Sequence, residues 1–212
     1  GSLTTDQINE LLPSQLAQLS TAQISGLTAA QATELSTPQI HALSAEQVSA
    51  LGTAAINALD INVIYTYQAA ALTTEQVHNL TSGQLAELNP EQVAAITSQG
   101  IGALTAAQVP NLISDAIGAL LPNQIPAMTT DVLNVLTSDQ LMSISTDSIA
   151  ALTTDQVHGL TDTRLGFLTA DQLSAMDVVQ LGSLDTRQAA LLTSDQTVKL
   201  SDVQLAALNV GS

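Results

Sequence analysis

A large aliphatic residue recurs at every eighth position through nearly the whole chain. It falls on Leu3, Leu11, Leu19, Leu27, Leu35, Leu43, Leu51 and Leu59, then restarts at Leu72 and keeps the same step through Leu152 and Leu160 to Leu208. A fixed period this short predicts a stack of like units, each contacting its neighbours, rather than a domain around one core. We number the octad from this residue as position one. Seven complete octads precede Leu59, and seventeen lie between Leu72 and Ala207. Between them the register slips, because Leu59 and Leu72 are thirteen residues apart.

Position two is Thr, Ser, Asp or Asn in all octads except those with Leu12, Gly52, Ile113 and Leu121. Position five is Gln in eighteen of the twenty-four. Thr followed three residues later by Gln is a capping box: the hydroxyl accepts from the N–H at N3, and the Gln side chain accepts from the N–H of the cap. Position three is then the first helical residue, where Pro is tolerated, and Pro13, Pro90 and Pro122 stand there, with Pro38 one residue later. Position four is acidic in eleven octads, among them Asp6, Glu46, Glu75, Glu91 and Asp155, as suits the positive end of a helix dipole. These preferences agree on a helix start every eight residues.

Position six is apolar, as in Ile8, Leu16, Val77 and Val157, with Thr197 the only polar residue there. It lies three residues before the next position one, so the two share a helix face. Position eight is often Ala, which lets neighbouring backbones approach. One continuous helix is excluded, because eight residues advance about 80° beyond two full turns and the apolar stripe would wind around the axis. Pro110 and Pro126 at position seven would also interrupt it. A β-solenoid is disfavoured, because positions one and six would point to opposite faces of a strand. The fold class is therefore all-α: a right- or left-handed superhelix, a solenoid of short capped helices, one per octad. Each helix is expected to run six or seven residues, with positions one and six inside and position four outside. Isolated helices this short are marginal, so contacts between coils must supply the stability.

The expected organisation is one repeat domain over residues 3–212, with octads at 3–58, the slip at 59–71 and octads at 72–207. Gly1-Ser2 reads as a cloning scar and the chain as an excised piece of a longer protein. The slip carries both Tyr residues, Tyr65 and Tyr67, and reads as a helix one turn longer. Between Thr97 and Thr130 the pattern loosens. There the cap at Ile113 is expected to move to Ser114, and Leu121 has no evident replacement; the segment reads as a packing corner.

The charge balance narrows the function classes. Nineteen acidic residues against three basic ones give a formal charge of -16. That argues against a nucleic-acid partner, since phosphates are bound by clustered Lys and Arg, and against docking on anionic membranes. No Cys is present, so thiolate metal sites and Cys nucleophiles are excluded. No window approaches the roughly 20 apolar residues of a membrane span. His41, His78 and His158 all stand at position seven, each alone in its octad, whereas zinc needs three or four converging ligands; they read as solvated. The acidic column lacks the dedicated loop of a calcium site. Capping consumes the hydroxyls, which also sets them apart from the flat Thr faces of ice-binding solenoids. No catalytic, cofactor-binding or metal-ligating residue is assigned, no cofactor is implied, and the chain is read as a non-enzyme.

Asn89-Pro90-Glu91-Gln92-Val93-Ala94-Ala95-Ile96 looks like the opening of a TAL-effector DNA-binding repeat. That family's longer period, base-reading residues and basic second helix are absent, so the likeness is read as convergence on a capping box. Leu72-Thr73-Thr74-Glu75-Gln76-Val77, Leu152-Thr153-Thr154-Asp155-Gln156-Val157 and Leu168-Thr169-Ala170-Asp171-Gln172-Leu173 resemble the octapeptide tracts of very large bacterial surface and type I-secreted, adhesin-like proteins. The resemblance implies an extracellular or cell-surface location and a structural role in extending or presenting other domains. An adhesive module, binding protein or glycan through the superhelical surface, is the alternative. No residue of known function carries over.

Overall fold

The computed structural model describes residues 4–209; Gly1-Ser2, read as a scar, and the first position one, Leu3, lie outside the described residues. Among those described, the secondary structure is entirely helical: 23 short α-helices and three 3₁₀ turns. The chain forms two compact units, residues 1–104 and 105–212, and the same architecture holds within each.

In the first unit, helix Pro13–Leu16 packs on Thr37–His41, Thr21–Ile24 on Ala45–Ala50, and Ala29–Thr33 on Thr53–Ala58. In the second, Ser114–Gly118 packs on Ser138–Ser143, and Thr154–His158 on Val178–Gly182. The partner is three octads away each time, so three helices, or 24 residues, close one turn of the superhelix. The solenoid is built of triangular coils. The sequence pattern predicted the coil but not the number of its sides.

The corners explain the octad. Position two is extended, as at Thr153 with φ -75° and ψ 159°, and the residue before it is extended too, as at Leu168 with φ -65° and ψ 132°. Two extended residues turn the chain, and among the described residues no φ is positive. The helix end closes by a tight bond from position one to position six, such as Leu160 N–H to Val157 O at 3.2 Å. This 3₁₀-type closure leaves most helices at four to six residues, shorter than the six or seven expected. Positions one and six fill the interior: Leu16, Ile24, Val77, Leu88, Val157 and Leu173 are fully buried.

The slip is not a longer helix. Ile64 is buried and heads a complete octad that runs to Ala71, with Gln68 at position five and Ala69, fully buried, at position six. What precedes it is a shortened octad, Leu59 to Val63, whose helix is reduced to the 3₁₀ turn Ile61–Val63. Ile61 takes the buried place of position six. Positions three, four and five are therefore missing, and because positions one and six keep their buried places at Leu59 and Ile61, the core register survives their loss.

Pro110 and Pro126 at position seven also give 3₁₀ turns, Val109–Asn111 and Ile125–Ala127, since Pro lacks the N–H that an α-turn requires there. The expected shift of a cap to Ser114 does not occur: Ile113 is the N-cap, without a side-chain bond, and Ser114 opens the helix. Leu121 does have a substitute. Its N–H donates to Gln124 Oε1 at 2.6 Å, as Leu12 N–H donates to Gln15 at 2.8 Å. Gln supplies half of the capping box where the hydroxyl is missing.

Candidate functional site

The position-five Gln is more than a cap. In Thr153–His158 the box is complete: Thr153 N–H donates to Gln156 Oε1 at 2.9 Å, and Gln156 N–H to Thr153 Oγ1 at 3.1 Å. The amide's other end, Nε2, donates to Ile125 O at 2.9 Å and Met128 O at 2.7 Å. Those carbonyls, at positions six and one, form the corner of the turn beneath. The same pair of bonds recurs from Gln39 to Ile8 and Leu11, Gln84 to Ile56 and Leu59, Gln140 to Val109 and Leu112, and Gln196 to Leu165 and Leu168. Each such Gln caps the start of its own helix and the end of a helix one turn away, and Gln39, Gln68, Gln92 and Gln156 are buried accordingly. Gln7, Gln15 and Gln23, in the first turn, are exposed.

Between Gln108 and Gln172, in the second unit, this ladder alternates. From Gln108 to Gln172, position five reads Gln, Ala116, Gln124, Val132, Gln140, Ser148, Gln156, Arg164, Gln172. Ser148 is a shorter rung, its Oγ donating to Leu120 O at 2.7 Å. Arg164 places its guanidinium 5.6 Å from the Phe167 ring, and its buried Nε has no partner.

The three His residues form the complementary contact with the next turn. His41 Nε2 faces Val63 O at 2.8 Å, His78 Nδ1 faces Ala103 O at 3.0 Å, and His158 Nδ1 faces Ser183 O at 2.8 Å. Each bonds the last carbonyl, position eight, of the helix three octads on, so the facing ring nitrogen must carry a proton. Asn134 does the same to Gly159 O at 2.8 Å. His78 and His158 are exposed, as expected of solvated imidazoles, and all three rings also staple one turn to the next. Among the described residues no three His, Asp or Glu side chains group to hold a metal ion. The position-four carboxylates point outward and are exposed. At Glu46 its own backbone hydrogen bond and then the Ser44 hydroxyl, 2.8 Å away, hold the carboxyl below the usual carboxylate range. Arg187 pairs with Asp162, and Lys199 with Asp171.

One corner departs from the pattern. Tyr65 takes position two of the octad after the shortened one, where a capping hydroxyl usually stands, and Tyr67 takes position four. Tyr65 stacks on His41 with ring centroids 4.0 Å apart, and Tyr67 lies 5.8 Å from Tyr65 at a tilt of 31°. The Tyr67 hydroxyl donates to His41 O and Leu43 O, each at 3.2 Å. Both tyrosines remain 47% exposed. Sequence reasoning located these residues but not their convergence, because His41 lies more than twenty residues upstream.

The geometry defines the class: an α-helical octad-repeat solenoid with three helices per turn. Residues 79–114 match the family described as the ALTTAQ repeat, and no curated protein matches the chain. The matched segment spans whole octads, including Leu88 to Ala103, and supports a repeat-containing structural region. No helix among the described residues is long and apolar enough to cross a membrane.

Proposed function

We propose that this chain is a non-catalytic structural repeat region that extends or presents other domains of a bacterial cell-surface or secreted protein. One observation carries the scaffold reading: the recurring polar residues are used up in holding turn to turn. Thr and Gln cap helices, Gln Nε2 bonds the turn beneath, and His or Asn at position seven bonds the next. A scaffold of this kind changes length in whole turns. Deleting residues 144–167, one full turn of three octads, should leave a folded, helical protein with a shorter distance between dyes at its ends. Deleting only residues 144–155 breaks the register and should lose cooperative unfolding. Equal tolerance of both deletions would count against the scaffold. Detection of the native parent protein in the cytoplasm by fractionation would overturn the surface location. The second reading, a binding module, is favoured by the half-exposed rings of Tyr65 and Tyr67.

A further inference from the structure

The aromatic corner holds its rings by contacts at one side and leaves both half-exposed. Tyr65 forgoes the capping hydroxyl, and neither ring fills the interior, which positions one and six supply. The corner also has acidic neighbours. Helix Thr66–Ala69 packs between Ala45–Ala50 and Pro90–Ala95. Glu46 and Glu91 hold position four in those flanking helices, as Tyr67 does in its own, and both are exposed. The ladder fixes this register. Gln68 Nε2 donates to Leu43 O at 2.9 Å, and Leu43 heads the octad of Glu46. Gln92 Nε2 donates to Ile64 O at 2.8 Å, just before Tyr65. The rings therefore sit between two carboxylate-bearing helix starts. Residues 1–104 contain eight Asp and Glu and no Lys or Arg, so no Lys or Arg side chain of this unit competes for the surface.

We propose that the corner of His41, Tyr65 and Tyr67, flanked by Glu46 and Glu91, docks the guanidinium or ammonium groups of a basic peptide segment. This rests on the binding-module reading. A cation over a Tyr face is attracted by the ring quadrupole, and the flanking carboxylates and the negative field steer it there. The ring of Tyr65 is held by its stacking on His41, and that of Tyr67 by its hydroxyl, so the platform is preformed.

The chain has no Trp and only these two Tyr residues, so its intrinsic fluorescence reports on the corner alone. Titration with hexaarginine should give a saturable change in Tyr emission, and calorimetry one site per chain. Tyr67→Ala should weaken binding several-fold to about tenfold. Tyr65→Thr restores the capping hydroxyl and so tests the ring without threatening the fold; it should weaken binding similarly at an unchanged or raised Tm. Glu46→Gln with Glu91→Gln should weaken binding a few-fold at low salt and less at physiological salt. Equal hexaarginine affinity for the wild type and Tyr65→Thr would overturn the proposal, because binding would then reflect net charge alone. If a neutral oligosaccharide such as cellohexaose shifts Tyr emission and hexaarginine does not, the cationic partner is wrong while the binding module stands. If neither binds, both fall and the scaffold reading alone survives.

Discussion

A single side chain such as Gln156 satisfies groups on two helices, and its removal should cost accordingly. Gln156→Leu keeps the bulk but strands Thr153 N–H and removes the donor to Ile125 O and Met128 O. At about 1 kcal/mol or more for each buried partner lost, we predict destabilisation of roughly 2–4 kcal/mol. Gln15→Leu, at an exposed position where only the capping bond is made, should cost about 1 kcal/mol. Urea denaturation of the two variants checks the difference, and equal losses would refute the two-ended role. The capping half was legible in sequence because both partners lie three residues apart. The other half was not, since its acceptors are backbone carbonyls, which leave no mark on residue identity. Glu46 offers a second check. Its lowered pKa means that its contribution is present above the usual carboxylate range and is lost as pH falls through the depressed value. An NMR titration should show Glu46 ionised below that range, and Ser44→Ala should raise its midpoint.

At the level of the element, the chain accommodates a shortened octad as long as positions one and six stay buried, as Leu59 and Ile61 do, and resists added bulk where backbones touch. Inserting Thr-Asp-Gln between Asp60 and Ile61 would restore positions three to five of the shortened octad, and by the ladder rule the new Gln would reach the carbonyls of Ala32 and Leu35. The variant should fold with slightly more helix by circular dichroism; loss of the cooperative transition would argue against the truncated-octad description. The sequence held the needed sign, since Gln68 stands four residues after Ile64 and Leu72 eight. Tyr65 in the cap position concealed it. Contacts between turns behave oppositely. A Cβ at Gly118 would lie 2.8 Å from Ser143 O, whereas one at Gly166 meets nothing within 4 Å. Gly118→Ala should therefore destabilise by about 1–3 kcal/mol, and Gly166→Ala, in helix Asp162–Phe167, should stabilise by about 0.5–1 kcal/mol. Thermal melts of the pair give the signs directly.

Across the whole molecule, periodicity made the helical class and the buried positions one and six readable. The three-sided coil was not readable, because the angle at each corner follows from two extended residues that many sequences adopt. Net charge belongs to this scale as well. With a formal charge of -16, the folded chain repels itself, and salt within a Debye length of about 3 Å at 1 M screens that repulsion. Raising sodium chloride from about 10 mM to 1 M, the upper end of that screening range, should raise the Tm; a fall would mean that the pairs Arg187–Asp162 and Lys199–Asp171 outweigh the repulsion.

The alternating rungs of the second unit have a mechanical consequence. Octads that stack on one edge are three apart, while Gln fails at every second one, and two and three share no factor. One edge therefore reads Gln108, Val132, Gln156, the next Ala116, Gln140, Arg164, and the third Gln124, Ser148, Gln172. Every weak rung has a strong one above or below it along its own edge. A tear started at one corner meets a fastened corner one turn later, so the stretch from Gln108 to Gln172 has no seam along which it can peel.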